Sequence, residues 1–286
     1  GLSLRRQRLV AFLHHPGQCR HHGLAMLQDC GVIGNLCFSV KVGHFYTIIG
    51  YEGVPSINNF FYSKSFAYQF AGPFTHWGGL ATWHLNDRIT LQGGLVNGWD
   101  SLDRTKDSTT GLASIKYTAP ENLWSLSFSM VTGNEPSAVA TQFETRTRYS
   151  LIFTAHPAER WEYVFHHHYA YQNQGKVDGG TARWYGIDNY LYYALTDQWR
   201  AGLRFEWMRD EAGTRVGGNP VRDNPNLGPF AGSFYSLSAG LNYRPHPNVL
   251  IRPEVRADWF DGQRSPYNDG LNKNQVLAAI NGTLQF

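Results

Sequence analysis

The sequence predicts an all-β protein: a transmembrane antiparallel up-and-down β-barrel, with about twelve strands visible between Phe38 and Phe286. Three observations predict it. Apolar and polar residues alternate with period two in runs of about ten residues, the length a tilted strand needs to cross a bilayer. Tight turns alternate with long loops, the asymmetry of barrels that face two different compartments. The chain ends on such a run, in which Val276, Ala278, Ile280, Gly282, Leu284 and Phe286 alternate with Gln275, Asn281, Thr283 and Gln285.

The elements follow in order. Tight turns fall at Asn86-Asp87, Pro120-Glu121-Asn122, His156 to Glu159, Thr196-Asp197 and Pro245 to Asn248, where proline, asparagine and aspartate cluster. Long connections run roughly over 46–76, 99–110, 134–143, 173–181, 210–231 and 261–274. In Asn122 to Thr132, Trp124, Leu126, Phe128 and Met130 oppose Ser125, Ser127 and Ser129. In Glu144 to Ala155, Tyr149, Leu151 and Phe153 oppose Glu144, Arg146, Arg148 and Ser150. In Trp199 to Met208, Trp199, Ala201, Leu203, Phe205 and Trp207 oppose Arg200, Arg204 and Glu206. Val249 to Phe260 repeats the pattern, with Arg252, Glu254, Arg256 and Asp258 on the polar face. Pro253 has no N–H for the ladder, so a bulge is expected there. An even strand count returns the last strand to the side of the tight turns. More strands in a complete protein are compatible with this pattern.

Composition narrows the classes. Aromatic residues make up 15% of the 286 residues, and charged residues only 16%, against about a quarter in ordinary soluble domains. No run of 18 apolar residues occurs, which excludes transmembrane helices but not strands. The net charge of +3 carries no basic cluster, so no nucleic-acid partner is expected. Cys19, Cys30 and Cys37 are the only cysteines. They share residues 1–37 with Arg5, Arg6, Arg8 and the pairs His14-His15 and His21-His22. The apolar run Leu9 to Leu13 is too short for a signal peptide. The cysteine and histidine spacing matches no zinc motif, so no metal site is expected. Residues 1–37 read as an atypical leader, truncated, misframed or disordered, and residues 38–286 as the barrel.

The alternating terminal strand resembles the end of bacterial outer-membrane barrels, in which the last strand closes the barrel and is read by the assembly machinery. Any edge strand ending on phenylalanine would look the same. The resemblance makes Phe286 the barrel-closure signal and the barrel-assembly machinery a partner, along with outer-membrane lipid. More specific segments follow. Val42-Gly43-His44-Phe45-Tyr46-Thr47, Gly50-Tyr51-Glu52, Asn59 to Ser63 and Pro73 to Gly78 resemble the OmpL-like β-barrel porin family. Gly94 to Asp100 and Arg252 to Trp259 continue the likeness, which covers about residues 38–286. It implies a bacterial outer-membrane porin passing small solutes. The family's signal peptide and additional N-terminal strands have no match in residues 1–37.

In such a barrel the polar face lines the lumen. The expected pore-lining cations are Lys116, Arg146, Arg148, Arg200, Arg204, Arg252 and Arg256. The expected anions are Glu144, Glu162, Asp188, Glu206, Glu254 and Asp258. Seven positive against six negative charges predict weak selectivity, at most a mild preference for anions. The segment Tyr46 to His76 is unusually aromatic for a loop, and Tyr51, Phe60, Phe61, Tyr62 and Phe66 are candidates to constrict the lumen. Packing on the barrel rim would explain the same composition. The readings left open are a diffusion porin, a plugged structural or adhesion barrel, and a barrel enzyme. No enzymatic activity and no cofactor are expected: G-x-S-x-G is absent. His166 and His168 share one strand face and could pair with Glu162 or bind a metal, but a lumen-facing or girdle histidine pair is the simpler reading. Solute identity and oligomeric state stay open, a homo-oligomer included.

Overall fold

The protein is described from a computed structural model covering residues 26–33, 36–102, 109–138, 142–217 and 229–285, with side chains described from Phe38 onward. Residues 1–25 and Phe286 lie outside the described residues, and with them most of the leader and the closure signal.

Among the described residues, thirteen strands form one sheet in sequence order. They are β1 (Met26–Ile33), β2 (Leu36–Tyr46), β3 (Thr75–His84), β4 (Ile89–Val96), β5 (Thr110–Thr118), β6 (Trp124–Pro136) and β7 (Phe143–Ala158). They continue as β8 (Trp161–Gln172), β9 (Ala182–Ala194), β10 (Trp199–Asp210), β11 (Gly232–His246), β12 (Val249–Gly262) and β13 (Asn274–Leu284). Every neighbouring pair is antiparallel. Twelve of these strands begin at or after Leu36, as the alternation predicts. β1 precedes them and pairs with β2 from Met26↔Gly43 to Ile33↔Leu36, so the sheet starts upstream of the boundary drawn at Phe38. Gln28, Asp29 and Cys30 interrupt the apolar alternation there, and pattern reading has nothing to detect.

The expected bulge at Pro253 is displaced. Pro253 keeps register with Ile280 on β13. The register shift lies between Tyr243 and His246 on β11, beside the turn. Past the proline, that ladder passes directly from Gly240↔Glu254 to Tyr243↔Ile251, so the missing donor interrupts pairing without adding a residue.

The two faces are inverted relative to a soluble domain. Leu203, Leu237, Val255 and Ile280 point outward and are 50, 48, 53 and 74% exposed. Arg204, Glu206, Asp188 and Arg256 point inward and are buried. An apolar exterior over a charged interior is stable only where lipid replaces water outside. Aromatic girdles bound the exterior. Near the tight turns, Trp161 contacts Tyr193 at 4.5 Å and Trp199 stacks on Tyr243 at 4.2 Å. Toward the long loops, Tyr149, Tyr169, Tyr185 and Trp207 run from strand to strand at centroid spacings of 6.0, 6.0 and 5.8 Å. Trp199 and Trp207 stand eight positions apart on β10. That is about 27 Å along the strand, or about 20 Å after a tilt of about 40°, close to the apolar band of a barrel.

Candidate functional site

The site is built by the connection between β2 and β3, residues 47–74. It turns inward and lies against the inner face of β7 to β12. After a 3-10 turn at Ser56–Asn58, Ser65 opens its short α-helix, α1 (Phe66–Phe70), by accepting a hydrogen bond from the Tyr68 N–H at 3.0 Å. Proline, glycine and asparagine elsewhere in the segment prevent a longer helix.

Charged strand residues hold the loop by its backbone. Glu254 accepts from Ser63 N at 3.0 Å and also from the Ser63 hydroxyl. Arg204 donates to Ser63 O at 2.9 Å, and Arg256 to Lys64 O at 2.6 Å. Glu206 accepts from Phe66 N at 2.6 Å. Glu52, on the loop itself, accepts from Ser65 N at 2.9 Å and from Arg204 Nη1 at 2.8 Å. Arg204 Nε lies 2.7 Å from Glu206 Oε1, an ion contact rather than an aligned hydrogen bond. Arg252 donates to Ser56 O and Asn59 O, both at 2.8 Å, which anchors the far tip of the loop. Backbone groups inside a membrane barrel need internal partners, and here strand side chains supply them.

Aromatic packing completes the attachment. Phe61 is buried with Val164, Tyr190 and Tyr192, and Tyr51 and Phe60 pack against that group. Gly202 and Gly240 are direct cross-strand partners and form the seat for Phe60 and Phe61. A Cβ on Gly202 would stand 2.4 Å from Phe60 Cε1, and one on Gly240 would stand 3.3 Å from Phe61 Cε1. Nearer the long-loop end, Phe66 and Ala71 join a cluster with Trp99, Trp184, Phe234 and Phe260. The Trp184 indole donates to Ala71 O at 2.9 Å. Burial pushes the Tyr51 phenol up to about 12, and it lowers the Lys64 ammonium.

The residues expected at the lumen all lie on the inner face by strand alternation, but they divide into two groups. Arg148, Asp188, Arg204, Glu206, Arg252, Glu254, Arg256 and Asp258 are buried, most of them beneath the loop. Lys116 is exposed, and Glu144, Arg146, Glu162 and Arg200 are partly exposed. Arg200 pairs with Glu162 at 2.7 Å. Of the five aromatic loop residues, Phe61 and Phe66 are buried, Tyr51 and Phe60 are half-buried, and Tyr62 is 47% exposed. Pattern reading missed Glu52, whose role depends on a contact 152 residues away. It also missed the paired glycines, which carry no side-chain signal.

Space remains beside the loop. A cavity of about 910 Å³ opens at the long-loop end, lined by Gln69, Arg146, Gln172, Lys176, Asp178 and Arg215 among others. A second, of about 230 Å³, lies deeper against Tyr51, Asn59, Phe60 and Tyr192. Ser150, His166 and Asp188 form a hydrogen-bonded row of 2.8 and 2.7 Å, but all three are enclosed, so a solute does not reach the Ser150 hydroxyl.

Residues 32–286 match the model of the family described as "Putative beta-barrel porin-2, OmpL-like". The chain belongs to this family. It is therefore an outer-membrane β-barrel porin rather than an enzyme. Its fold is similar to that of the outer membrane channel DcaP of Acinetobacter baumannii. That match has a TM-score of 0.59 at 13% identity and covers 87% of this chain and 73% of that one. OmpT of Vibrio cholerae, an outer membrane protein, gives a TM-score of 0.57 at 11% identity over 90% of this chain and 77% of that one. At these identities the likeness is one of fold. No curated protein matches the chain.

Proposed function

We propose that this porin passes small hydrophilic solutes or ions by passive diffusion, with weak selectivity, through a lumen narrowed by residues 47–74. The observation that carries this reading is the attachment of the loop to the inner wall through Glu52, Arg204, Glu206, Glu254 and Arg256. These charges are neutralised by one another and by the loop. The groups left facing water, Lys116 and the Arg200–Glu162 pair among them, set the field that a solute meets. Their balance favours anions slightly. Strands β1 to β13 carry the conducting barrel, and the β13 end with Phe286 is the segment that the assembly machinery reads. Homo-oligomerisation would leave these contacts unchanged.

A plugged structural or adhesion barrel is the second reading. The sealed cluster of Trp99, Trp184, Phe234 and Phe260 inside the barrel favours it. Current through the folded protein in a planar bilayer separates the two. Steps proportional to salt concentration support diffusion, and silence supports the plug.

A further inference from the structure

We propose that His166, His168 and Asp188 form a buried binding site for one divalent transition-metal ion of the zinc type. Strand register brings the donors together. His166 and His168 stand two positions apart on β8, on the same inner face. Asp188 on β9 is the direct partner of His166. The partner of His168 is Gly186, which has no side chain, and the imidazole lies against it. One donor atom from each of the three residues lies within 4.8 Å of the others.

His168 is the observation that points to a ligand. Its side chain is fully buried, and neither ring nitrogen has a hydrogen-bond partner. A neutral imidazole carries one donor and one acceptor, and burying both unpaired is costly. Its ring lies 5.5 Å from that of His166, tilted by 40°. A metal would supply the missing partner.

His166 is held as metal-binding histidines are. Its Nδ1 faces Asp188 Oδ2 at 2.7 Å, and its Nε2 meets the Ser150 hydroxyl at 2.8 Å. An ion entering between the histidines and Asp188 would take Nδ1, and Ser150 would continue to fix the ring from the other side. Two imidazoles and one carboxylate suit zinc and leave a fourth position for water. Arg148, on the neighbouring strand, opposes a cation. The carboxylate of Asp188 offsets it, as does that of Glu52, which lines the same small cavity as Arg148 and His166. Such a site would cross-link β8 to β9 beneath the loop.

The test uses the full chain, folded in detergent, stripped with a chelator and titrated with Co²⁺, then with Zn²⁺. The expected result is one equivalent bound per chain, with the strong visible absorption of four-coordinate cobalt. His168→Leu and Asp188→Asn should abolish it, and Ser150→Ala should weaken affinity about tenfold. His168→Leu removes no hydrogen bond and should fold, which heat-modifiable gel mobility checks. The cysteines and histidines of residues 1–37 remain in every variant, so metal held there survives the substitution. Absence of stoichiometric binding by the wild type would overturn the proposal. So would equal affinity and spectrum in a folded His168→Leu variant.

Discussion

Arg204 on β10 and Glu52 on the inward loop meet at 2.8 Å, with side chains only 0 and 4% exposed. The pair joins wall to loop across 152 residues of chain. Without Glu52, Arg204 keeps Glu206 at 2.7 Å, but the buried Ser65 N–H loses its acceptor and the wall loses its ion pair to the loop, a cost of about 1–3 kcal/mol. Glu52→Ala should therefore release the loop while the strand ladder persists. Lys64 is the only lysine or arginine between Thr47 and Phe74, so trypsin reports the release. Cleavage after Lys64 should be slow in the wild type and fast in the variant.

Gly202 and Gly240 should respond differently to substitution. Gly202→Val places atoms where Phe60 lies, since even its Cβ would stand 2.4 Å from the ring. It should unseat the loop tip and raise single-channel conductance. Gly240→Ala meets Phe61 and the Pro253 carbonyl, both at 3.3 Å, contacts that shifts of a few tenths of an ångström relieve, and should leave conductance near the wild-type value.

Alkaline pH should loosen the loop. The Tyr51 phenol is raised to about 12, chiefly by burial, whereas in a released loop it would titrate near its ordinary value of 10.0. A group raised in the packed state contributes stability that is complete below the lower value and lost as pH rises through the upper one. Conductance should climb between about pH 10 and pH 12. Tyr51→Phe should remove the Tyr51 share of that rise.

The outer and inner faces should tolerate charge differently. Leu203→Arg puts a cation in the lipid band and should cost about 2–4 kcal/mol, read by denaturant unfolding in lipid. Lys116→Ser removes an exposed inner cation. It should leave stability within about 0.5 kcal/mol and shift the reversal potential away from anion preference.

Much of the barrel is legible from the chain. Membrane strands repeat one physical constraint, lipid outside and polar inside, and Trp199 to Met208 or Val249 to Phe260 display it without long-range information. The long loops are legible too, since glycine, proline and asparagine end strands locally. The site is only half legible. Aromatic crowding marks the loop, and alternation places Arg204 and Glu254 inward. Their capture of the Ser63 to Phe66 backbone depends on where the loop settles, which no local pattern encodes. The histidine pair on one face is legible in the sequence, but the place of Asp188 beside it is hidden for a similar reason. The donors meet through the register of β8 with β9, and His-x-His followed by a distant aspartate is no recognisable ligand spacing.

The most direct measurement is single-channel current in a planar bilayer, comparing the wild type with a variant lacking residues 56–70. Salt-proportional steps in both, larger in the variant, are the predicted result for a diffusion pore narrowed by its own loop. Equal conductance would contradict the constriction, and silence from both folded proteins would contradict the pore.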